Sequence, residues 1–265
     1  NFNLKICVII PSFYPAVAFG GPIVSSLSTC TELSKIPDLQ LRVITTDFNM
    51  GQSKLEVLLN KWVKFGQSFF VKYHQVLVNG FSPDLYLRIW PEIKAADVVH
   101  IQGIFNSPTP IALLASVFFK RPIILSPRGV LGDWCLDHGS RFKKLWLNIF
   151  IRPFAYKVTW HATDLMEKKE ILSLYSGATV EVISNGVYVK DFSCFEPLDK
   201  SGYIEKFTNM KKLNVGKIVI SMGRLSEKKG FDVLIYAFER VLRIYKDSFL
   251  LIAGPDETEG EKLTQ

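Results

Sequence analysis

Residues Ser221–Asp232 (SMGRLSEKKGFD) hold the densest set of groups suited to gripping an anion. An apolar run, Lys217–Met222, precedes them and an amphipathic pattern follows, so the segment is expected to join a strand to a helix. In an open parallel sheet, ligands gather beyond the carboxyl ends of the strands. The next helix points its free N–H groups and the positive end of its dipole there. Gly223 and Gly230 let the backbone turn or approach closely, and Arg224 and Lys229 can reach two phosphate groups from opposite sides. The alternative is a solvated basic loop.

Other residues of chemical interest are scattered through the first 190 positions. Phe19-Gly20-Gly21-Pro22 is either an ordinary turn or a glycine loop whose N–H groups meet a ligand. His100, in the apolar run Asp97–Ile101, is placed at the end of a strand, and is either a cleft residue or a hydrogen-bonded structural histidine. His161 opens His-Ala-Thr-Asp, with Glu167 close behind; Thr163 or Asp164 can serve as a helix cap. Arg128, in Ile124–Leu131, is read as a ligand contact or as half of a structural salt bridge. The phosphate-loop, nucleophile-elbow, zincin and dinucleotide fingerprints are absent from the sequence, as is metal-ligand spacing.

Positioning these residues requires alternating strands and helices. Strands are expected at Lys5–Ile10 (ending at Pro11), Leu41–Thr45, Asp97–Ile101, Pro122–Ser126, Val158–Trp160 and Val180–Ile183. Helices are expected at Ile23–Leu33, Leu85–Ala96 with a break near Pro91, Pro110–Phe119, Arg141–Tyr156 with a break at Pro153, and Asp164–Tyr175. The stretch from Phe48 to Asn79 is assigned a weak helix and a strand. Fully apolar strands alternating with helices imply a parallel sheet covered on both faces. Polar residues from Asn185 to Gly216 read as an interdomain connection. Beyond it, Lys217–Met222, a helix with Phe231, Leu234, Ile235, Phe238, Val241, Leu242 and Tyr245 on one face, and Phe249–Ala253 form one β-α-β crossover. The expected domains are therefore 1–187 and 188–265.

Composition sets outer bounds. The 265 residues are 48% hydrophobic and 22% charged, a globular balance. A net charge of +7 favours anionic partners in general, but no nucleic-acid-binding signature accompanies it. Cys7, Cys30, Cys135 and Cys194 form no CxxC pair and read as reduced thiols in a cytoplasmic protein. The sequence begins with Asn1, so its true start is expected to be missing.

Together the segments resemble glycosyltransferase family 4. GRLSEKKG followed by FDVLIYAF looks like that family's donor signature, G-R-x-x-x-x-K-G ahead of an amphipathic helix. The glycine loop at Gly20–Gly21 and the exit segment Ile183-Ser-Asn-Gly-Val187 occur in the family's order, with Ser184 where Pro is common. The resemblance implies an α/β fold of two Rossmann-like domains facing a cleft (GT-B), the second truncated. It implies a retaining, hexosyltransferase-type reaction from a nucleotide diphosphate sugar to a polysaccharide, lipopolysaccharide or lipid-linked acceptor. Arg224 and Lys229 are then the catalytic diphosphate clamp, and Gly20, Gly21, Gly223 and Gly230 bind donor. Arg128, His100 and His161 contact sugar or acceptor, although Arg128 stands where many members carry His. No cofactor, metal or nucleic acid is implied, and the 265 residues alone are expected to be inactive. The basic, aromatic segment Arg141–Lys157 suits an anionic membrane surface at the inner face of the plasma membrane. Two rival readings are a GT-B nucleotide-sugar epimerase and an inactive membrane-surface scaffold.

Overall fold

The apolar run near the start becomes β1 (Leu4–Ser12), the strand about which the rest is arranged. In the computed structural model, residues 3–49, 54–67, 69–78, 80–137, 142–188, 202, 216–225 and 229–254 are described. The chain divides into two units, Asn1–Val187 and Tyr188–Gln265.

Unit 1 is built on an eight-stranded sheet in the order β3-β4-β2-β1-β5-β6-β7-β8. The strands are β2 (Leu39–Thr46), β3 (Trp62–Phe65), β4 (Phe69–His74), β5 (Val98–Gln102), β6 (Ile123–Ser126), β7 (Thr159–Ala162) and β8 (Thr179–Val182). Neighbours are parallel except the edge strand β3, which runs antiparallel to β4. The uninterrupted apolar sequence of β1 follows from double-sided burial. Cys7 and Ile9 face one cluster with Ile44, Val99 and Ile101; Val8 and Ile10 face the other with Leu41, Val43 and Val71. Each large apolar side chain so buried contributes about 1.5–3 kcal/mol.

Helices cover the two faces. They are α1 (Gly21–Leu33), α2 (Pro83–Ala95), α3 (Pro108–Phe118), the short α4 (Asp133–Asp137) and α5 (Phe142–Trp146), and α6 (Leu165–Leu174). On one face, α2 supplies Leu85, Ile89 and Ile93 and α3 supplies Ala112, Leu113 and Ala115; on the other, α1 supplies Cys30.

Several expectations from the sequence change here. Strand β1 does not stop at Pro11 but runs to Ser12, its register with β2 shifting between Ile9 and Ser12. Such an irregularity is where a strand tolerates a residue with no N–H to donate. Helix α2 continues through Pro91 without interruption. Pro91 and Leu87, one turn before it, are both exposed, so the forfeited hydrogen bond falls on the solvent side. The weak helix expected after Phe48 is replaced, among the described residues, by β3 and β4. Phe69, Val71 and Tyr73 alternate into the core with the two-residue period of a strand. After α5 the chain widens into a π turn over Leu147–Ile151 and a 3-10 turn over Arg152–Phe154, rather than one helix broken only at Pro153. Arg141, residues 50–53, 68 and 79, and most of the connection (189–201 and 203–215) lie outside the described residues.

Unit 2 contains β9 (Lys217–Met222), α7 (Phe231–Ile244) and β10 (Ser248–Ala253). The two strands are parallel, paired from Lys217↔Ser248 to Met222↔Ala253. Of the apolar face expected on α7, Phe231 and Phe238 are buried while Ile235, Leu242 and Tyr245 are exposed. Among the described residues, no helix is long and apolar enough to cross a membrane. Burial pushes the Cys30 thiol up to about 12, and the Cys135 thiol donates to the Gly129 carbonyl; Cys194 lies outside the described residues.

Asp164 caps α6, its carboxylate accepting from the N–H groups of Met166 and Glu167 at 2.7 and 2.8 Å. Asp164→Ala is therefore expected to cost about 1 kcal/mol, and Asp164→Asn much less. Urea denaturation of the two variants checks this; equal losses would mean the cap contributes nothing through its oxygen.

Candidate functional site

The loops leaving β1, β5 and β6 in unit 1 enclose a pocket of about 360 Å³. Its floor comes from the strand ends Ser12 and Gln102 and from Arg128, and its walls from Phe19, Phe48, Ile104, Phe105 and Val130. Phe19 and Phe48 form a tilted pair with ring centroids 5.7 Å apart. Gly20 takes φ 75° and ψ −141° as the residue before α1, a conformation open to glycine. Gly21 has no such constraint, and a Cβ there would meet nothing within 4 Å. Phe19 and Pro22, on either side of the glycine pair, are the residues of that loop that line the pocket.

Arg128 is the charged residue of this lining. Its backbone is left-handed, φ 65°, which costs a non-glycine residue about 1–2 kcal/mol. That conformation turns the chain after β6 and is followed by a second positive φ at Gly129. The guanidinium donates to Gln102 Oε1 at 2.8 Å and to Asn185 Oδ1 at 3.2 Å. Both partners are neutral, Nε is buried without a protein partner, and burial lowers the pKa from its usual value. Gln102 Oε1 also accepts from Ser26 Oγ at 2.6 Å. With its oxygen thus assigned by two donors, the Gln102 amide nitrogen is left buried and unpartnered.

His100 and His161 lie beside this group but do not line the pocket. His100 is not at the end of its strand; β5 continues two residues, to Gln102. The two rings are bridged by Ser126, whose Oγ lies 2.8 Å from His100 Nε2 and 2.8 Å from His161 Nδ1. His161 Nε2 sits 2.9 Å from the Ile183 carbonyl oxygen, which can only accept. A neutral His161 must donate there, so Ser126 donates to His161 Nδ1 and accepts from His100 Nε2. Burial, then the Arg128 charge, then His161 push the His100 pKa from 6.5 down to about 3. Behind them, the buried Glu167 carboxylate accepts from Gly129 N at 2.7 Å, Thr163 N at 2.6 Å and Thr163 Oγ at 2.8 Å. It ties the loop after β6 to the loop after β7.

Unit 2 has its own polar end. Gly223 follows β9, and its N–H donates to the Ala253 carbonyl at 2.9 Å. A Cβ on Gly223 would lie 3.7 Å from Lys229 Cδ, so the Lys229 side chain runs alongside the residue preceding Arg224. Gly230 has φ 64° and begins α7 with no side-chain cap, leaving the first N–H groups of the helix available. Ser226, Glu227 and Lys228 lie outside the described residues.

Gln102, Ser126, Asn185 and Ser26 complete the unit 1 site, and sequence reasoning did not single them out. The useful signal was position: Gln102 and Ser126 each close an apolar strand at its carboxyl end. Gly254 was also missed, because the clash that demands glycine there arises from the Gly223 carbonyl across the β9–β10 pair. Among the described residues, no group of three or more His, Cys, Asp or Glu could hold a metal ion.

No protein-family profile matches the chain, and no curated protein matches it. Solved structures do. Anabaena HepE in complex with UDP-glucose aligns over 98% of this chain and 62% of its own, with a TM-score of 0.64 and 15% identity. Sucrose-phosphate synthase from Thermosynechococcus elongatus aligns over 97% and 63%, at TM-score 0.60 and 11% identity. An α,α-trehalose-phosphate synthase (UDP-forming) from Burkholderia vietnamiensis aligns over 98% and 66%, at TM-score 0.57 and 12% identity. The chain spans less than two thirds of HepE and of the sucrose-phosphate synthase. What these structures share with this chain is the fold, a Rossmann-like α/β arrangement of the GT-B kind.

The depressed His100 pKa has a testable consequence. An unfolded chain protonates this ring near 6.5 and the folded one only near 3. Stability from the neutral ring is then complete above the unfolded value and is lost as pH falls toward the folded one. NMR should show the His100 ring flat from about pH 8 to 5, and His100→Gln should weaken the acid dependence of the urea midpoint. A His100 ring titrating near 6.5 would contradict this geometry.

Proposed function

We propose that this chain belongs to a retaining glycosyltransferase, in which unit 2 grips the diphosphate of a nucleotide sugar and unit 1 receives the acceptor. The observation that carries the reading is the loop after β9. It sets the Lys229 side chain beside Gly223, the residue before Arg224, directly before the uncapped start of α7. Cations and helix N–H groups so arranged stabilise charge building on a leaving phosphate oxygen. Gly223 and Gly230 leave room for the phosphates, and the loop at Gly20–Gly21 faces the acceptor-side pocket of unit 1. HepE and the two synthases, whose names include UDP-glucose, sucrose-phosphate and UDP-forming chemistry, support a uridine diphosphate sugar as the first donor to try. The acceptor is a glycan or a lipid-linked glycan of a surface polysaccharide or lipopolysaccharide. Transfer with retention needs no protein nucleophile, since the leaving diphosphate can take the acceptor proton. No cofactor enters this scheme.

The test is UDP binding followed by NMR shift perturbation. UDP is expected to bind this chain at about millimolar, equivalent to ~4 kcal/mol. Arg224→Ala and Lys229→Ala should each weaken it at least tenfold and, where turnover is measured, cut it by about 10²-fold or more. Arg224→Lys should also weaken it, because a two-pronged donor becomes a point charge. Unchanged affinity in both alanine variants would remove the donor assignment.

A membrane-bound acceptor is supported by the surface around α5. Phe142, Leu145, Ile149 and Tyr156 are exposed, and Lys144, Arg152 and Lys157 stand exposed among them. Lys143, by contrast, is half-buried and donates to the Cys135 carbonyl. Such a surface suits the interface of an anionic bilayer. The chain should sediment with vesicles containing phosphatidylglycerol and not with neutral phosphatidylcholine vesicles. Arg152→Glu with Lys157→Glu should release it. Equal binding to both vesicle types, or indifference to the double reversal, would remove the membrane from the scheme.

A further inference from the structure

We propose that the unit 1 pocket selects an acceptor bearing an oxyanion, a carboxylate or a phosphate, which pairs with Arg128 while its less polar face lies against Phe19 and Phe48. The inference rests on the reading of this pocket as the acceptor side, and it names the acceptor's chemistry.

The first ground is an uncompensated cation. A guanidinium partly withdrawn from water, as that of Arg128 is, gains from a counter-charge. Arg128 has none within ion-pair distance among the described residues; its hydrogen bonds go to the neutral Gln102 and Asn185. Glu167 is near enough to act on Arg128 electrostatically, yet its oxygens are taken up by Gly129 and Thr163. Among the described residues, the pocket lining contains no Asp or Glu.

The second ground is independent of charge. Gln102 is 2% exposed and also lines the pocket. Its amide orientation is set by Ser26 and Arg128, both donating to Oε1, and this leaves Nε2 without an acceptor. Arg128 Nε is likewise buried and unpartnered. Gln102 and Arg128 thus carry more N–H donors than the protein satisfies, which favours beside them a group that accepts without donating, as an oxyanion does. A neutral sugar hydroxyl would bring a donor of its own into a site that already has too many. The third ground is the wall: Phe19, Phe48, Phe105, Ile104 and Val130 give an apolar surface, in about 360 Å³, against which a pyranose face or an isoprenoid chain can lie.

Carboxylate and phosphate are separated by the choice of probe. In saturation-transfer NMR and calorimetry on this chain, without donor, methyl glucuronide is compared with methyl glucoside, and geranyl phosphate with geraniol. One anionic probe is expected to bind about tenfold or more tightly than its neutral twin. Preference within the first pair names a uronate-bearing glycan; preference within the second names a lipid phosphate. Arg128→Gln should abolish the preference, and Arg128→Lys should keep part of it. Gln102→Glu is the second variant. It supplies the missing counter-charge from within, so it should abolish the preference while raising the melting temperature. Equal binding of neutral and anionic twins, failure of both anionic probes at tens of millimolar, or a preference that survives both Arg128→Gln and Gln102→Glu would overturn the proposal. A preference behaving as described, with no UDP binding at Arg224 and Lys229, would keep this inference and remove the glycosyltransferase reading instead.

Discussion

Burial of the central strands on both faces is the constraint from which the rest of unit 1 follows. β1 pairs with β2 on one side and β5 on the other, and alternate residues enter opposite apolar clusters. Polar side chains along such a strand would be stranded in hydrocarbon, at a cost of several kcal/mol each if unpaired. Chemistry is therefore driven to the carboxyl ends. There Ser12, Gln102 and Ser126 end their strands, and the positive-φ turn at Arg128 and Gly129 begins. The arrangement is a direct result of a sheet with no solvent face.

That edge works as a layer rather than as separate residues. Ser126 joins His100 to His161, Gln102 joins Ser26 to Arg128, and Glu167 joins the loops after β6 and β7. Each of these groups has at least one partner on a different element, so the positions of the loops are mutually fixed. His100 is uncharged because it is buried next to a cation; its neutrality and the isolation of Arg128 are two results of one placement. Networks of this kind are costly when half-satisfied, and within this one an unpartnered nitrogen remains on each of Gln102 and Arg128, both residues of the pocket lining.

How much of this was legible in the sequence varies with how local the signal is. Apolar runs such as KICVII and DVVHI announced parallel strands because burial on both faces demands an uninterrupted apolar sequence. The helices at Gly21–Leu33 and Leu165–Leu174 were visible through period and capping. Pro91 misled because a proline rule ignores which side of a helix the lost hydrogen bond faces. The stretch before His74 misled because β3 and β4 gain their stability from each other and from β2, not from local propensity. In the site, Arg128 was flagged by a departure from a family pattern. Its partners Gln102 and Asn185, 26 and 57 positions away, are joined to it only by the fold. The strand and helix on either side of Arg224 and Lys229 were legible because their apolar periods are local.

Gly254 carries a different kind of information. Its α-hydrogen occupies the space any β-carbon would need, against the Gly223 carbonyl oxygen. No rotamer relieves that conflict, so alanine is excluded as firmly as tryptophan. A saturation library at this position should be blank except for wild type, although the residue need touch no ligand. The strand ends of β9 and β10 are thereby spliced backbone to backbone. A loop graft that lengthens or re-routes the segment after β10 would displace the carbonyl next to Arg224. Redesign of unit 2 would do better to vary side chains around this splice than to exchange the loops that meet at it.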